Sequence, residues 1–183
     1  MIILYLPKFE RKMIIYFIGY IAAGKNKWGK KLAEELNYDF VDTRNIMEQK
    51  SGMTFGLLLQ NKDLFIKLEQ ETLAEVSVLK NTVVATSELL PCRANNMEVL
   101  NETGITFYLR AGLGCIMMRI AKRTQEIPFL VGMDHDFIPD FIKMEMDNRK
   151  PFYEQANINS LARELNMKKL KSLLTEKGVE FGT

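Results

Sequence analysis

Gly19-Tyr20-Ile21-Ala22-Ala23-Gly24-Lys25-Asn26 follows the β-branched, aromatic run Ile14-Ile15-Tyr16-Phe17-Ile18 and precedes a segment of helical period. The spacing G-x-x-x-x-G-K between a strand and a helix is that of a phosphate-binding loop. Its physics asks for these residue types. Gly19 and Gly24 permit positive φ, so that backbone N–H groups can turn inward on phosphate oxygens. The helix N-terminus adds a partial positive charge and Lys25 a full one. The candidate phosphate-binding residues are Gly19, Ala22, Ala23, Gly24, Lys25, Asn26 and Lys27. The motif ends in Ser or Thr, whose hydroxyl sits on Mg²⁺, whereas this chain has Asn26. An amide oxygen ligates Mg²⁺ too, but it is bulkier and differently placed. Lys27 brings a second cation, which either stands in part for a metal or is solvated.

The rest of the chain alternates in the same way. Short apolar runs recur at Asp39-Phe40-Val41, Thr82-Val83-Val84-Ala85 and Ile105-Thr106-Phe107-Tyr108-Leu109. Continuous rather than alternating apolar character predicts strands covered on both faces, as in a parallel sheet. Between them, helical period is expected over 25–36, 63–79, 93–102, 113–123, 137–155 and 165–177. Strand and helix in turn predict a doubly wound α/β domain. Residues 1–12 stand outside this pattern and Met13 directly precedes the first strand, so 1–12 are either an appendage or a misassigned start and 13–183 form the domain.

Composition removes several function classes. With 25 Lys+Arg against 23 Asp+Glu and no basic run, binding to nucleic acid by bulk electrostatics is not expected. The longest apolar stretch is about twelve residues, short of the roughly 20 that span a bilayer, so no membrane association is expected. Two cysteines, Cys92 and Cys115, are too few for a disulfide framework and point to a reducing cytoplasm. His135 lies between two acids in Gly132-Met133-Asp134-His135-Asp136, without the ligand number or spacing of a metal site.

From the loop onward, roughly over residues 13–175, the chain resembles the shikimate kinases, P-loop enzymes that phosphorylate shikimate with ATP and Mg²⁺. The anchors are Gly19 to Lys25, Lys31-Leu32-Ala33-Glu34-Glu35-Leu36, Phe40-Val41-Asp42-Thr43, Ser51-Gly52, Phe65 with Glu69, and Val83-Val84-Ala85-Thr86. Phe107-Tyr108-Leu109, Arg123-Thr124, Pro128-Phe129-Leu130 and Arg149-Lys150-Pro151-Phe152-Tyr153 complete the series. The resemblance implies a three-layer α/β/α domain, a five-stranded parallel sheet of order 2-3-1-4-5 with flanking helices and a lid. It implies that Lys25 holds the β- and γ-phosphates and Asp42 positions Mg²⁺, with Asn26 as the second metal-site residue. Arg149 would hold an anionic group of the substrate. Arg123 matches the arginine that stacks on adenine, and a solvated helix-end cation is the competing reading.

The residues that touch shikimate mostly differ. The family's Asp-Ser/Thr-Asp motif is Asp42-Thr43-Arg44 here, so a hydroxyl-binding acid has become a cation that cannot accept a proton. Phe65-Ile66 replaces Phe-Arg, whose arginine clamps the shikimate carboxylate. Thr86-Ser87-Glu88 stands where three glycines form a floor, and Ile127-Pro128 replaces the lid's Arg-Pro. The expected function is therefore a shikimate-kinase-like nucleotide-binding protein with impaired shikimate phosphorylation. The alternatives are a pseudokinase acting through a protein partner, and a kinase with a changed anionic acceptor bound by Arg44 and Arg149.

Overall fold

The computed structural model describes residues 13–121 and 127–181; residues 1–12, expected to be an appendage or a misassigned start, lie outside them. Five strands form one sheet in the order β2-β3-β1-β4-β5, with β1 Ile14–Ile18, β2 Asp39–Asp42, β3 Thr82–Ala85, β4 Ile105–Arg110 and β5 Ile158–Leu161. All four pairings are parallel. The helices are α1 Lys25–Leu36, α2 Thr43–Ser51, α3 Phe55–Gln60, α4 Lys62–Val76, α5 Asn96–Thr103, α6 Leu113–Ile120, α7 Ile138–Tyr153 and α8 Met167–Thr175. The architecture is the one the resemblance implies. β1 and β3 are buried along their whole length, which explains their unbroken apolar sequence.

Topology puts the ligand crevice in one place. β1 leads through α1 to the edge strand β2, while β3 leads through α5 to β4 on the far side of β1. Right-handed crossovers of opposite direction lay these helices on opposite faces. The chains leaving β1 and β3 therefore part, and ligands of such sheets bind where they part, beyond the strands' carboxyl ends. Phe17 is in register with both Ala85 and Phe107, which aligns those ends.

Two helices and one strand were absent from the periodicity. α2 is polar, and it starts because the Asp42 carboxylate caps it by accepting the Arg44 N–H at 2.9 Å. α3, α2 and α4 build a small second core from Met47, Phe55, Leu58, Phe65 and Leu68. β5 reads Ile-Asn-Ser-Leu, an edge strand too short and polar to stand out. Helix α6 ends at Ile120, and Pro151 fits in the last turn of α7.

Where α5 turns into β4, Gly104 passes so close to β1 that an added Cβ would lie 2.5 Å from the Ile14 carbonyl oxygen. Gly104→Ala is expected to destabilise the fold by about 1–3 kcal/mol through this overpacking; urea unfolding at pH 7 measures it, and an unchanged midpoint would contradict the packing described.

Candidate active site

Residues 19–24 turn from β1 into α1 through backbone that needs glycine twice. Gly19 has φ +139°, and a Cβ there would lie 2.8 Å from the Leu109 carbonyl oxygen. Gly24, at φ +108°, is the N-cap of α1. Ala22 adopts the left-handed region as well, at φ +57°. Lys25, 8% exposed, donates to the carbonyls of Gly19 at 2.8 Å and Tyr20 at 3.0 Å. Burial lowers its pKa to about 8, against the opposing pull of Glu88. Arg119 of α6 donates to the Ala22 and Ala23 carbonyls at 2.7 and 2.9 Å, tying the loop to the helix after β4.

The structure brings the two metal-site candidates together: the Asn26 amide donates to the Asp42 carboxylate. Lys27 is exposed on α1, and Arg123 lies outside the described residues. Arg44, one helical position beyond Thr43, pairs with Glu88. Glu88 is 1% exposed. Burial pushes its pKa up, but Arg44 and Lys25 outweigh burial and hold it below the ordinary glutamate range. Its backbone is fixed from two sides, by Tyr153 of α7, whose hydroxyl donates to the Glu88 carbonyl at 2.6 Å, and by the Ser87 N–H, which donates to Thr43 Oγ1 at 2.7 Å.

Three arginines of this region each lie against an aromatic ring. Arg44 lies over Phe55 at 4.5 Å, Arg93 over Phe65 at 5.2 Å and Arg149 over Tyr20 at 5.1 Å. Each also has its own acid, Glu88, Glu69 and Glu145 respectively. The Arg149–Glu145 pair is one helical turn apart on α7, a spacing visible in the sequence. Arg93 and Arg119 carried no sequence signal and Glu88 only that of a filled glycine floor, because each meets its partner across tens of residues.

Ile66 is half-buried on α4 and Ile127 is 5% exposed in the main core, so neither position presents a cation. His135 is exposed, and among the described residues no group of three or more His, Cys, Asp and Glu side chains is placed to hold a metal. No helix of the described residues is long and apolar enough to cross a membrane.

Glu69, with a side chain 0% exposed, touches Arg93 without an aligned hydrogen bond. Burial therefore wins over the neighbouring guanidinium and raises its pKa to about 7. Between pH 4.5 and 7 the folded chain keeps a proton that the unfolded chain has lost, so this group's contribution to stability falls as pH rises through that window. Glu69→Gln lacks the effect: relative to it, the wild type should lose roughly 2–3 kcal/mol between pH 4.5 and 7.5 in denaturant titrations. Parallel stabilities across that range would refute the assignment.

Known proteins match this arrangement closely. The shikimate kinase family model matches residues 21–176. The shikimate kinase of Bacteroides thetaiotaomicron is 35% identical over 153 residues, 82% of this chain and 87% of that protein. Its crystal structure superposes with a TM-score of 0.80 at 33% identity, covering 90% of this chain and 96% of that one. A shikimate kinase from Acinetobacter baumannii, solved in complex with shikimate, gives a TM-score of 0.80 at 26% identity over 94% of this chain and 98% of the other. The loop, the strand order and the family match agree, and this chain belongs to the shikimate kinase family.

Proposed function

We propose that this chain is an ATP-dependent kinase of a small hydroxylated carboxylic acid, and that it turns over shikimate slowly. The observation that carries the nucleotide half is the buried Lys25 ammonium at the loop, beside the N-terminus of α1. In this reading Gly19, Ala22, Ala23, Gly24 and Asn26 line the phosphates, with Lys27 at their outer edge. Lys25 leaves the loop carbonyls for the β- and γ-phosphate oxygens.

Asn26 and Asp42 fit a magnesium ion, which takes one or two protein oxygens and completes its shell with phosphate and water. Their contact supports that pairing. When bound, the ion would draw charge off the transferring phosphoryl group. Asp42 also caps α2, so the same carboxylate that would hold the metal sets the direction of the helix carrying Arg44.

The acceptor half rests on Arg44, Arg149 and what surrounds them. Arg44 is committed to Glu88, so the site offers a paired cation where the resemblance puts a hydroxyl-binding acid. The buried Ile127 supplies no positive charge for the transferring phosphate. A preorganised charged donor contributes roughly 10²–10³ in rate. Both losses bear on chemistry more than on binding. A nucleotide-binding pseudokinase is the second reading, favoured by that same buried Ile127.

Two measurements test this. With purified protein and Mg²⁺-ATP, shikimate turnover is expected at least about a hundredfold below that of the B. thetaiotaomicron relative. Rates equal to that enzyme's would overturn the slow-turnover reading, and nucleotide binding with no transfer to any hydroxy acid would favour the pseudokinase. Calorimetry probes Lys25 directly. Its pKa of about 8 in the free protein rises when phosphate replaces the loop carbonyls, so nucleotide binding at pH 8.5 should take up a proton. The measured enthalpy should then vary with the ionisation enthalpy of the buffer. Lys25→Met should abolish that variation and weaken binding about tenfold or more; a wild type indifferent to buffer would place Lys25 elsewhere.

A further inference from the structure

We infer that Arg93 is an acceptor-binding residue that, together with Arg149, holds the carboxylate of the molecule to be phosphorylated. The inference rests on the kinase reading above and narrows its substrate to a hydroxylated monocarboxylate.

Arg93 leaves the 3-10 turn Leu90–Cys92 in extended conformation, just before α5. That turn packs on α7, which carries Arg149. The link between them is direct. The Glu88 carbonyl receives both the Tyr153 hydroxyl of α7 and the Cys92 thiol of the turn, at 2.6 and 3.5 Å. Cys92 lies within reach of the Arg149 charge, which partly offsets the burial that pushes its thiol up to about 11. Both guanidiniums therefore stand at the carboxyl end of the sheet, on the Glu88 side of the phosphate loop.

Each lies over a ring and is paired with one acid. Arg149 Nη1 is buried with no hydrogen-bond partner, whereas Arg93 Nε, equally buried, is the atom that contacts Glu69. A guanidinium carries five N–H donors in a fork that suits a carboxylate. The Arg93 side chain is 35% exposed, so its outer edge is open to a ligand while Glu69 holds the inner one. Glu69 is a positioning residue in this arrangement.

Charge then selects the ligand. Lys25, Arg44, Arg93 and Arg149 face the acids Asp42, Glu88 and Glu145, while Glu69 keeps its proton up to about pH 7. With Lys25 assigned to the phosphates and Asp42 to the magnesium side, Glu88 matches Arg44 and Glu145 matches Arg149, so Arg93 beside the protonated Glu69 is left with one positive charge for the ligand. A phosphate ester or dicarboxylate would bring an excess. Arg93 thereby does from the turn after β3 what the missing guanidinium at Ile66 would do from α4.

The test is a calorimetric titration with shikimate and with quinate, both hydroxylated monocarboxylates, at saturating ADP. The proteins are the wild type, Arg93→Lys, Arg93→Gln and the double variant Arg93→Gln/Glu69→Gln, which leaves no unpaired buried charge to unfold it. Wild type should bind at least one of the acids. Arg93→Gln and the double variant should bind it at least tenfold more weakly with ADP affinity unchanged, and Arg93→Lys should fall between, since it keeps the charge and loses the fork. Where turnover is measurable, KM should rise and kcat stay within about threefold. Undiminished acid binding in the double variant, or a wild type that binds ADP and neither acid, would overturn the role of Arg93. A folded wild type that fails to bind ADP would instead refute the kinase reading.

Discussion

A carboxylate with almost no solvent access survives ionised only when fixed positive charge surrounds it, and Glu88 is such a group. Arg44 contacts it directly, and Lys25 contributes through space. Much of the crevice is organised to keep these groups where they are. The Ser87 N–H ties the chain beyond β3 to the start of α2, the Tyr153 hydroxyl ties it to α7, and Thr86 N–H reaches the Phe17 carbonyl of β1 at 3.1 Å. Three separate pieces of chain therefore meet on residues 86–88. Breaking the pair from one side would leave a buried charge uncompensated, which costs far more than the pair contributes when whole.

Acid and cation have changed places around this point. Where the resemblance expects an acid on α2 and bare glycine backbone after β3, the chain has Arg44 on α2 and Glu88 after β3. Either substitution alone would be harmful. A lone arginine at 44 would face Lys25 with like charge, and a lone glutamate at 88 would be buried without a partner. Together they form a neutral pair stacked against Phe55. The Arg93–Glu69 pair repeats the logic one turn of chain away, against Phe65, and the two rings meet edge to face at 5.6 Å. The helices α2, α3 and α4 thus carry a small core whose aromatic rings lie beneath two guanidiniums.

The legible part of this protein was the part held by local rules. The loop declares itself because positive φ and backbone approach demand glycine at fixed spacing. β1 and β3 declare themselves because burial on both faces leaves only apolar residues. The resemblance supplied the strand order, including β5, whose Ile-Asn-Ser-Leu sequence says little alone. What stayed hidden depends on contacts between distant segments. Nothing near Arg93 signals Glu69, 24 positions earlier, and nothing near Arg119 signals the carbonyls of Ala22 and Ala23. Position-by-position comparison counts Ile66 as a loss, since it compares residues at one place in the chain. A guanidinium delivered to the same acid from another element escapes such a comparison.

That distinction separates the two kinds of substitution in this site. Binding a carboxylate requires a planar donor fork at the right place, and any backbone that reaches the place can supply it. Stabilising charge on a transferring phosphoryl group requires a cation that arrives with the closing segment, because its worth comes from contacts made only in the transition state. Ile127 belongs to the main core together with Leu130 and Ile138, so a cation at that position would have to leave the core to act. The substitutions therefore weigh unequally on the proposed reaction: the anion-holding half of the acceptor site has a structural replacement in Arg93, whereas the buried Ile127 brings no charge to the transferring phosphate.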